Sequence, residues 1–327
     1  MGTGTGLKGY LGLSFQGDLT GQGPSSAHFL PFVSESITEQ IPRIDSAELR
    51  FTPDEGYSKQ GLRTVAGDIV LEVTPMNLAI AAYAAMGGLV TDSHNDYFTH
   101  KLTMTNSSVV TGGAPVPSFT AFVGRDVSCA NAYWNCVATG LTLDIANGEI
   151  AKMTLSLIGG AGVGDAVLTP TFNDVASAHI PWNSCSIQLS GAALCEASQF
   201  SINIANQLEF RPTICNSAYA TSIKRSGFRQ VRLSGAMEIS SLMHYGRLRD
   251  NAEHAFLLHM INGITNEYVT IGVPNAVYES APFNVGGPGA IGASIALRAH
   301  PDTDSGQMWM ESRTSAEYEI CSGFLAS

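Results

Sequence analysis

Hydrophobic and polar residues alternate most plainly along Ser34–Val73. Ile37 and Ile41 share one side of the chain, and Thr38 and Gln40 the other. Further on, Val65, Ile69, Leu71 and Val73 fall on one side and Thr64, Asp68 and Glu72 on the opposite one. A period of two marks half-buried strands, so the stretch predicts two strands joined by a long polar loop, Asp45–Gln60. The plan returns in Phe200–Ile239. Gly61-Leu62-Arg63-Thr64-Val65 matches Gly227-Phe228-Arg229-Gln230-Val231, and Glu72-Val73 matches Glu238-Ile239, both at an offset of 166 (227 − 61 and 238 − 72). Ser36-Ile37 matches Ser201-Ile202 at 165. The chain reads as one unit written twice.

The other elements follow from local signals. Pro75–Gly88 predicts a helix opened by a proline, filled with alanine and stopped by Gly87-Gly88. The apolar run Leu78–Val90 is too short to span a bilayer and reads as a buried helix. Tyr97–Thr105 and Ser118–Val123 are candidate strands. Val137–Leu157 predicts a hairpin about Asn147-Gly148, a strong tight-turn pair. In it Leu141, Leu143, Ile145, Met153, Leu155 and Leu157 face a core, while Thr142, Asp144, Lys152, Thr154 and Ser156 face away. The glycines at 159, 160, 162 and 164 suggest a seam, with a boundary near 160–180. In the second half Asp250–Asn262 is taken as the matching helix, which requires an insertion after Ile239, and Glu267–Val273 as a strand. Ile291–His300 and Met308–Thr314 are taken as a closing hairpin. Cys136–Asn147 also resembles Cys195–Asn206 at an offset of 59, which suggests two strands in similar surroundings. The division expected is an arm over 1–33 with one docking strand, a first unit over 34–165 and a second over 166–327.

Composition narrows the class. Charged residues make up 14% of the 327, with abundant Gly, which suits a mainly β chain with much covered surface. A net charge of −11 argues against gripping nucleic acid, which needs clustered Lys and Arg. The start MGTGTGLKGY has no apolar segment of the kind that directs secretion, and Gly6 stands where myristoylation wants Ser or Thr. None of Cys129, Cys136, Cys185, Cys195, Cys215 and Cys321 has zinc-ligand spacing. Buried free thiols are the expectation, with Cys129/Cys136 and Cys185/Cys195 close enough in sequence to pair under oxidation.

No chemistry-bearing constellation stands out. Gly287-Pro288-Gly289-Ala290-Ile291-Gly292 fits G-x-G-x-x-G, but an alternating strand pattern follows where a nucleotide site needs a helix, so a turn is expected. His254 and His259 are five apart and would not share a helix face. Nucleophile elbows, His-Glu-x-x-His pairs and P-loops are absent from the sequence. Asp68, Glu72 and Asp144 lie on open strand faces. No enzyme, cofactor or metal is expected. Arg63 and Arg229, at equivalent repeat positions, suit interface or loop contacts, or simple solvation.

The pieces LKGYLGLSF, FLPFVSESITEQIPRIDSAELR and GLRTVAGDIVLEV, followed by QFSINIANQLEF, GFRQVRLSGAMEI and PFNVGGPGAIGASIALRAHPD, resemble the tail tube proteins of tailed bacteriophages in their order and spacing. The resemblance covers nearly the whole chain. It implies two tandem β-sandwich or barrel tube domains, each with one flanking helix, in a structural virion protein assembled in the host cytoplasm. It implies trimeric rings of pseudo-sixfold symmetry, stacked into a hollow tail tube through which double-stranded DNA passes into the host without specific binding. Other tail proteins (terminator, distal tail and tape measure) would be partners, and a membrane would not. On this footing the channel face would carry Asp68, Glu72, Asp144 and Glu238 with Lys152 and Arg232 of opposite sign. Contacts between rings would fall to the arm and the loops Asp45–Gln60 and Arg211–Ser226, with Asp45, Arg50, Asp54, Glu55, Arg211, Lys224 and Arg225 as candidates. Two rival readings stay open: a terminator or connector ring of similar fold, and a β-sandwich hydrolase or carbohydrate-binding module. Trp134, Trp182 and Trp309 show no platform pattern for the latter.

Overall fold

The computed structural model describes residues 8–16, 27–48, 51, 53–54, 56–105, 116–126, 130–166, 170, 179–212, 214, 218–219, 222–238, 242–263, 267–282, 292–303 and 306–315. In chain order the first half runs β1 (Tyr10–Gln16), β2 (His28–Leu30), β3 (Ser34–Glu35), β4 (Thr38–Gln40), β5 (Arg43–Asp45), β6 (Ser58–Gln60) and β7 (Thr64–Glu72). It continues with α1 (Pro75–Met86), β8 (Gly87–Ser93), β9 (Tyr97–Met104), β10 (Ser118–Gly124), β11 (Ala130–Ala146), β12 (Lys152–Gly159) and β13 (Ala161–Ala166). After a 3-10 turn at Trp182–Ser184 come β14 (Cys185–Leu189), β15 (Ala192–Ala193), β16 (Ala197–Ala205), β17 (Leu208–Arg211), β18 (Ser222–Arg225) and β19 (Gln230–Glu238). The chain closes with α2 (Met243–Asp250), β20 (His254–Ile261), β21 (Tyr268–Ser280), β22 (Gly292–His300) and β23 (Trp309–Ser315). The fold is mainly β, as the alternation required.

The repetition is written into the hydrogen-bond register. Glu35↔Ile69 and Thr38↔Ala66 in the first half become Phe200↔Gly235 and Asn203↔Arg232 in the second, at offsets of 165 and 166. Strands β11 and β12 map onto β21 and β22 at 140: Val137↔Ile158 and Ala138↔Leu157 become Val277↔Arg298 and Tyr278↔Leu297. The bulge recurs too, between Ala138 and Gly140 and between Tyr278 and Ser280. A second bulge, between Phe119 and Ala121 of β10, recurs between His254 and Phe256 of β20, an offset of 135. Bulges re-aim the side chains that follow, so the two halves keep the same residues pointing the same way.

Each half folds as a sandwich around one long strand. The N-terminal part of β11 bonds β10 and β13, and its C-terminal part bonds β12 and β16. Leu11, Leu13 and Phe119 from one layer meet Ile69, Leu71, Leu143 and Leu155 from the other, with α1 among them, in one apolar cluster that reaches through both halves. Helix α1 starts where Thr74 Oγ1 accepts the Asn77 N–H (3.1 Å) and stops at Gly87, whose φ of 89° puts it in the left-handed region. There a residue without Cβ ends a helix at least cost.

Several expectations need correction. Asp250–Asn262 is not a helix: its core is β20, which bonds β14 and β21, with Phe256, Leu258 and Met260 buried. The second helix is α2, seven residues upstream. It starts 168 residues after α1 (243 − 75), so no insertion after Ile239 is needed. The run Leu78–Val90 is helical only to Met86, and β8 follows. The glycine seam holds a strand, β13, bonded to β11. Strands β22 and β23 do not form a hairpin: β22 bonds β19 and β21, and β23 bonds β21 and β9. Ile41 does not share the burial of Ile37, being 41% exposed. The expected docking strand of the arm is β1, bonded to β10 and β2.

Candidate functional site

One sheet runs unbroken through both halves in the order β3/β4, β7, β12, β11, β16, β19, β22, β21. The two strands that resemble each other at an offset of 59 are the neighbours at its middle, Gly140↔Ala205 through Ala146↔Gln199. One face of the sheet is aliphatic and buried. The other carries the polar residues that the alternation set apart.

On that face Lys152 stands between Glu72 and Asp144, opposite each across its two neighbouring strands. Its ammonium lies 2.9 Å from Glu149, which raises its pKa. Ser156 donates to Asp68 Oδ1 at 2.6 Å, Asn203 donates to Thr142 Oγ1 at 2.7 Å across the middle seam, and His179 Nε2 lies 3.1 Å from Glu72. In the second half Arg232 stands opposite Arg298, with Glu279 3.8 Å from Arg232. Glu238 faces Gly292, which occupies the place of Lys152 and offers no counter-charge. The six candidates for the polar face thus share one sheet: four lie together in the first half, and Arg232 and Glu238 lie apart in the second.

The edges of this sheet differ from its middle. Among the described residues β3 and β4 bond β7 alone, and Val277–Ser280 of β21 bonds β22 alone. The edge strand is held by Arg125, whose guanidinium grips Glu35 at 2.8 and 3.0 Å, reaches the Ile37 carbonyl at 2.6 Å and donates to Tyr133 Oη at 3.1 Å. The charged hydrogen bonds to Glu35 push the Arg125 pKa upward.

The two candidate loops are hairpins of identical register. Arg43↔Gln60 and Asp45↔Ser58 in β5–β6 become Leu208↔Arg225 and Phe210↔Ile223 in β17–β18. The second hairpin lies on the first half: Leu208, Phe210 and Ile223 pack against Val116, Val137 and Ile158. Arg225 is half-buried and donates to the Asn206 carbonyl at 2.9 Å. Arg211 pairs with Glu209 at 2.7 Å, and Lys224 is exposed. Among the described residues the first hairpin has no such cover: Asp45 and Asp54 are exposed, as are Ile44 and Tyr57. Arg50 and Glu55 lie outside the described residues. Arg63 and Arg229 each touch the other half. Arg63 stacks beside Tyr219 and donates to its hydroxyl at 3.2 Å. Arg229 donates to the Thr105 carbonyl at 3.2 Å, and burial with Arg225 nearby lowers its pKa to about 10.

Among the described residues no group of three or more His, Cys, Asp or Glu is placed to hold a metal, and no helix is long and apolar enough to cross a membrane. Cys136 is buried and Cys185 half-buried, as expected for free thiols, and burial raises their pKa to about 12 and about 11. Cys195 is free but exposed. Cys129, Cys215 and Cys321 lie outside the described residues, as does most of the glycine-rich turn at 287–292.

The family described as phage tail tube protein matches residues 6–299, nearly the full length over which the repeat runs. The chain belongs to the phage tail tube protein family. A search of curated proteins finds no match. Membership makes this a structural tail component, and what sequence reasoning missed is the joint at the middle of the sheet. The match at offset 59 was its trace: two strands look alike because each lies against the other, in one kind of surroundings.

Proposed function

We propose that three copies close into a ring of six repeats and that rings stack into the tail tube, with the polar sheet face lining the channel for the phage genome. The observation that carries this is the polar face itself, which crosses from one half to the other without a break and, among the described residues, ends in two unfilled edges. A head-to-tail contact that closes makes a ring, and closing removes edges that would otherwise aggregate. With β3 and β4 counted as one, the described residues of each chain supply eight strands to this sheet, so three chains supply 24. At about 4.8 Å between strands and a tilt of about 40°, such a barrel is roughly 45–50 Å across its backbone, wider than a DNA duplex. Asp68, Glu72, Asp144 and Glu238 would keep phosphates from sticking to the wall. The tips of the two hairpins, with exposed Phe51 and Ile214, suit contacts between stacked rings. The repeats serve as the two tube domains. Strands β1 and β2 belong to the first of them, since β14 and β15 hold the same register in the second.

Electron microscopy of the purified protein tests this. Rings or tubes with six wall densities are expected, and a protein that stays single-chained at high concentration would overturn the reading. Reversing the four carboxylates to Lys is expected to slow DNA passage through assembled particles; unchanged passage would remove the channel assignment.

A further inference from the structure

The joint between the two halves of one chain contains the instructions for the joint between chains. Resting on the ring reading above, we propose that the end of β21 and the two residues after it in one copy pair antiparallel with β4 of the next in one fixed register: Ser280 against Gln40, Ala281 against Glu39, and Pro282 against Thr38. We further propose that this joint is closed by charge, Asp45 against Arg298, where the joint inside the chain is closed by apolar packing.

The register follows from the repeat. Inside the chain Gly140, Leu141 and Thr142 face Ala205, Ile204 and Asn203. The offset of 140 takes the first three to Ser280, Ala281 and Pro282. Removing 165 takes the other three to Gln40, Glu39 and Thr38. The shared bulge ensures that the pleat is in the same phase. Leu141 and Ala281 are both 3% exposed, and both face the core. Pro282 has no N–H to give, yet costs the joint nothing. The odd-numbered residues of β11 are those that bond across the seam, since Asn206 N donates to Thr139 O (2.7 Å) and Asn147 N to Ser198 O (3.0 Å). Thr142 therefore turns its N–H away from the seam, because bonding alternates along an antiparallel strand. Pro282 occupies that same position. The open edge also shows what is missing from it. Asn206 is 0% exposed, donating to the Ala85 and Ala138 carbonyls at 2.9 and 3.0 Å, whereas its counterpart Ile41 is 41% exposed.

The change of chemistry follows from the same offsets. Leu208, Phe210 and Ile223 cover Val137 and Ile158 inside the chain. Their counterparts on the free hairpin are Arg43, Asp45 and Ser58, and those of Val137 and Ile158 are Val277 and Arg298. Asp45 and Arg298 are exposed in the single chain. Arg298 also stands beside Arg232, and among the described residues Glu279, 3.8 Å away, pairs with Arg232 and not with Arg298; like charges opposite one another are unfavourable. A carboxylate from a neighbour would relieve that. Charged joints weaken with salt, so rings are expected to dissociate into whole chains at ionic strengths that leave the joint within each chain intact.

The test is cysteine cross-linking in assembled full-length protein. Thr38→Cys with Pro282→Cys places two thiols on one face at a non-bonded pair, where adjacent backbones are within disulfide reach. Under oxidation it is expected to give covalent dimers and trimers on denaturing gels and nothing larger. Thr38→Cys with Ala281→Cys, one residue out of register, is expected to give no more than either single variant. Thr142→Cys with Asn203→Cys checks the chemistry within one chain. Tubes that form but fail to link through 38 and 282, or that link through 38 and 281, overturn the register and leave the tube reading standing; absence of any ring or tube overturns both. Asp45→Arg is expected to raise the concentration needed for assembly roughly tenfold, with recovery on adding Arg298→Glu. An unchanged threshold, or no recovery, overturns the charged closure.

Discussion

Helices α1 and α2 hold the same place in the two repeats and have almost nothing else in common. Helix α1 has twelve residues, a threonine cap, no charge and ten buried positions. Helix α2 has eight residues, no side-chain cap, two arginines in its last turn and one buried residue, His244. The difference lies in what covers them. The first repeat inserts β8 and β9 after its helix, and β9 goes on to bond β23 of the second repeat from Tyr97↔Ser315 to Thr103↔Trp309. Enclosed by β8, β9, β11 and β23, α1 lies inside the whole chain, and Ser312 Oγ donates to the Pro75 carbonyl at 2.9 Å. Helix α2 rests against β21 and faces water. Burial, not position in the repeat, has set the composition of each.

If α1 serves both repeats, damage to it should be felt by both. Ile80→Ala removes a fully buried side chain and is expected to cost about 2–5 kcal/mol, with the whole chain unfolding in one denaturant transition. Leu248→Ala in α2, only partly buried, should cost less than half as much. Two separate transitions in the Ile80 variant would break the comparison. Thr74→Ala should cost about 1 kcal/mol through the lost cap, while Leu242→Ala, at a position without a cap bond, should leave the denaturation midpoint unmoved.

A smaller effect separates the helices by pH. His244 donates to or accepts from Tyr278 Oη at 2.7 Å, and burial, then Arg247, lowers its pKa from the usual 6.5. The unfolded chain then binds the proton more readily, so the contribution of His244 is complete above about pH 6.5 and is lost as pH falls below it. Thermal melts of His244→Gln should show a flatter slope between pH 7 and 5 than the parent; equal slopes would show that α2 carries none of the acid sensitivity. Smallest of all, a Cβ on Gly246 would meet nothing within 4 Å. Gly246→Ala should therefore stabilise by about 0.5–1 kcal/mol, measurable as a raised midpoint and confined to the exposed helix.

The legible parts of the sequence were those whose surroundings are local. Asn147-Gly148 and the alternation on either side gave the β11–β12 hairpin, with Gly148 at a φ of 82°. Pro75 and Gly87 bracketed α1. The polar face was readable because period two separates the sides of a strand wherever it occurs. Misreadings gathered where a partner far away decides. His254–Ile261 has enough consecutive apolar residues to pass for a helix, and only β14 and β21 on its flanks make it a strand. Pro301–Gly306 looks like a hairpin turn, but β22 and β23 each bond a different part of the long β21, as β12 and β13 do on β11. The hairpin loops showed only their length and polarity, and the sheet edges carried no local signal. The common register of the two hairpins becomes visible only when one repeat is laid over the other.

Strand β11 runs for seventeen residues, through a bulge between Ala138 and Gly140, and bonds β10 and β13 at one end and β12 and β16 at the other. A force that pulls the two repeats apart therefore loads a covalent backbone lying along the joint, and shearing the ladder to β16 requires its bonds to break together, not one after another. Mechanical strength at the middle of the molecule is set by that geometry, and a single proteolytic cut within Ala130–Ala146 would forfeit it.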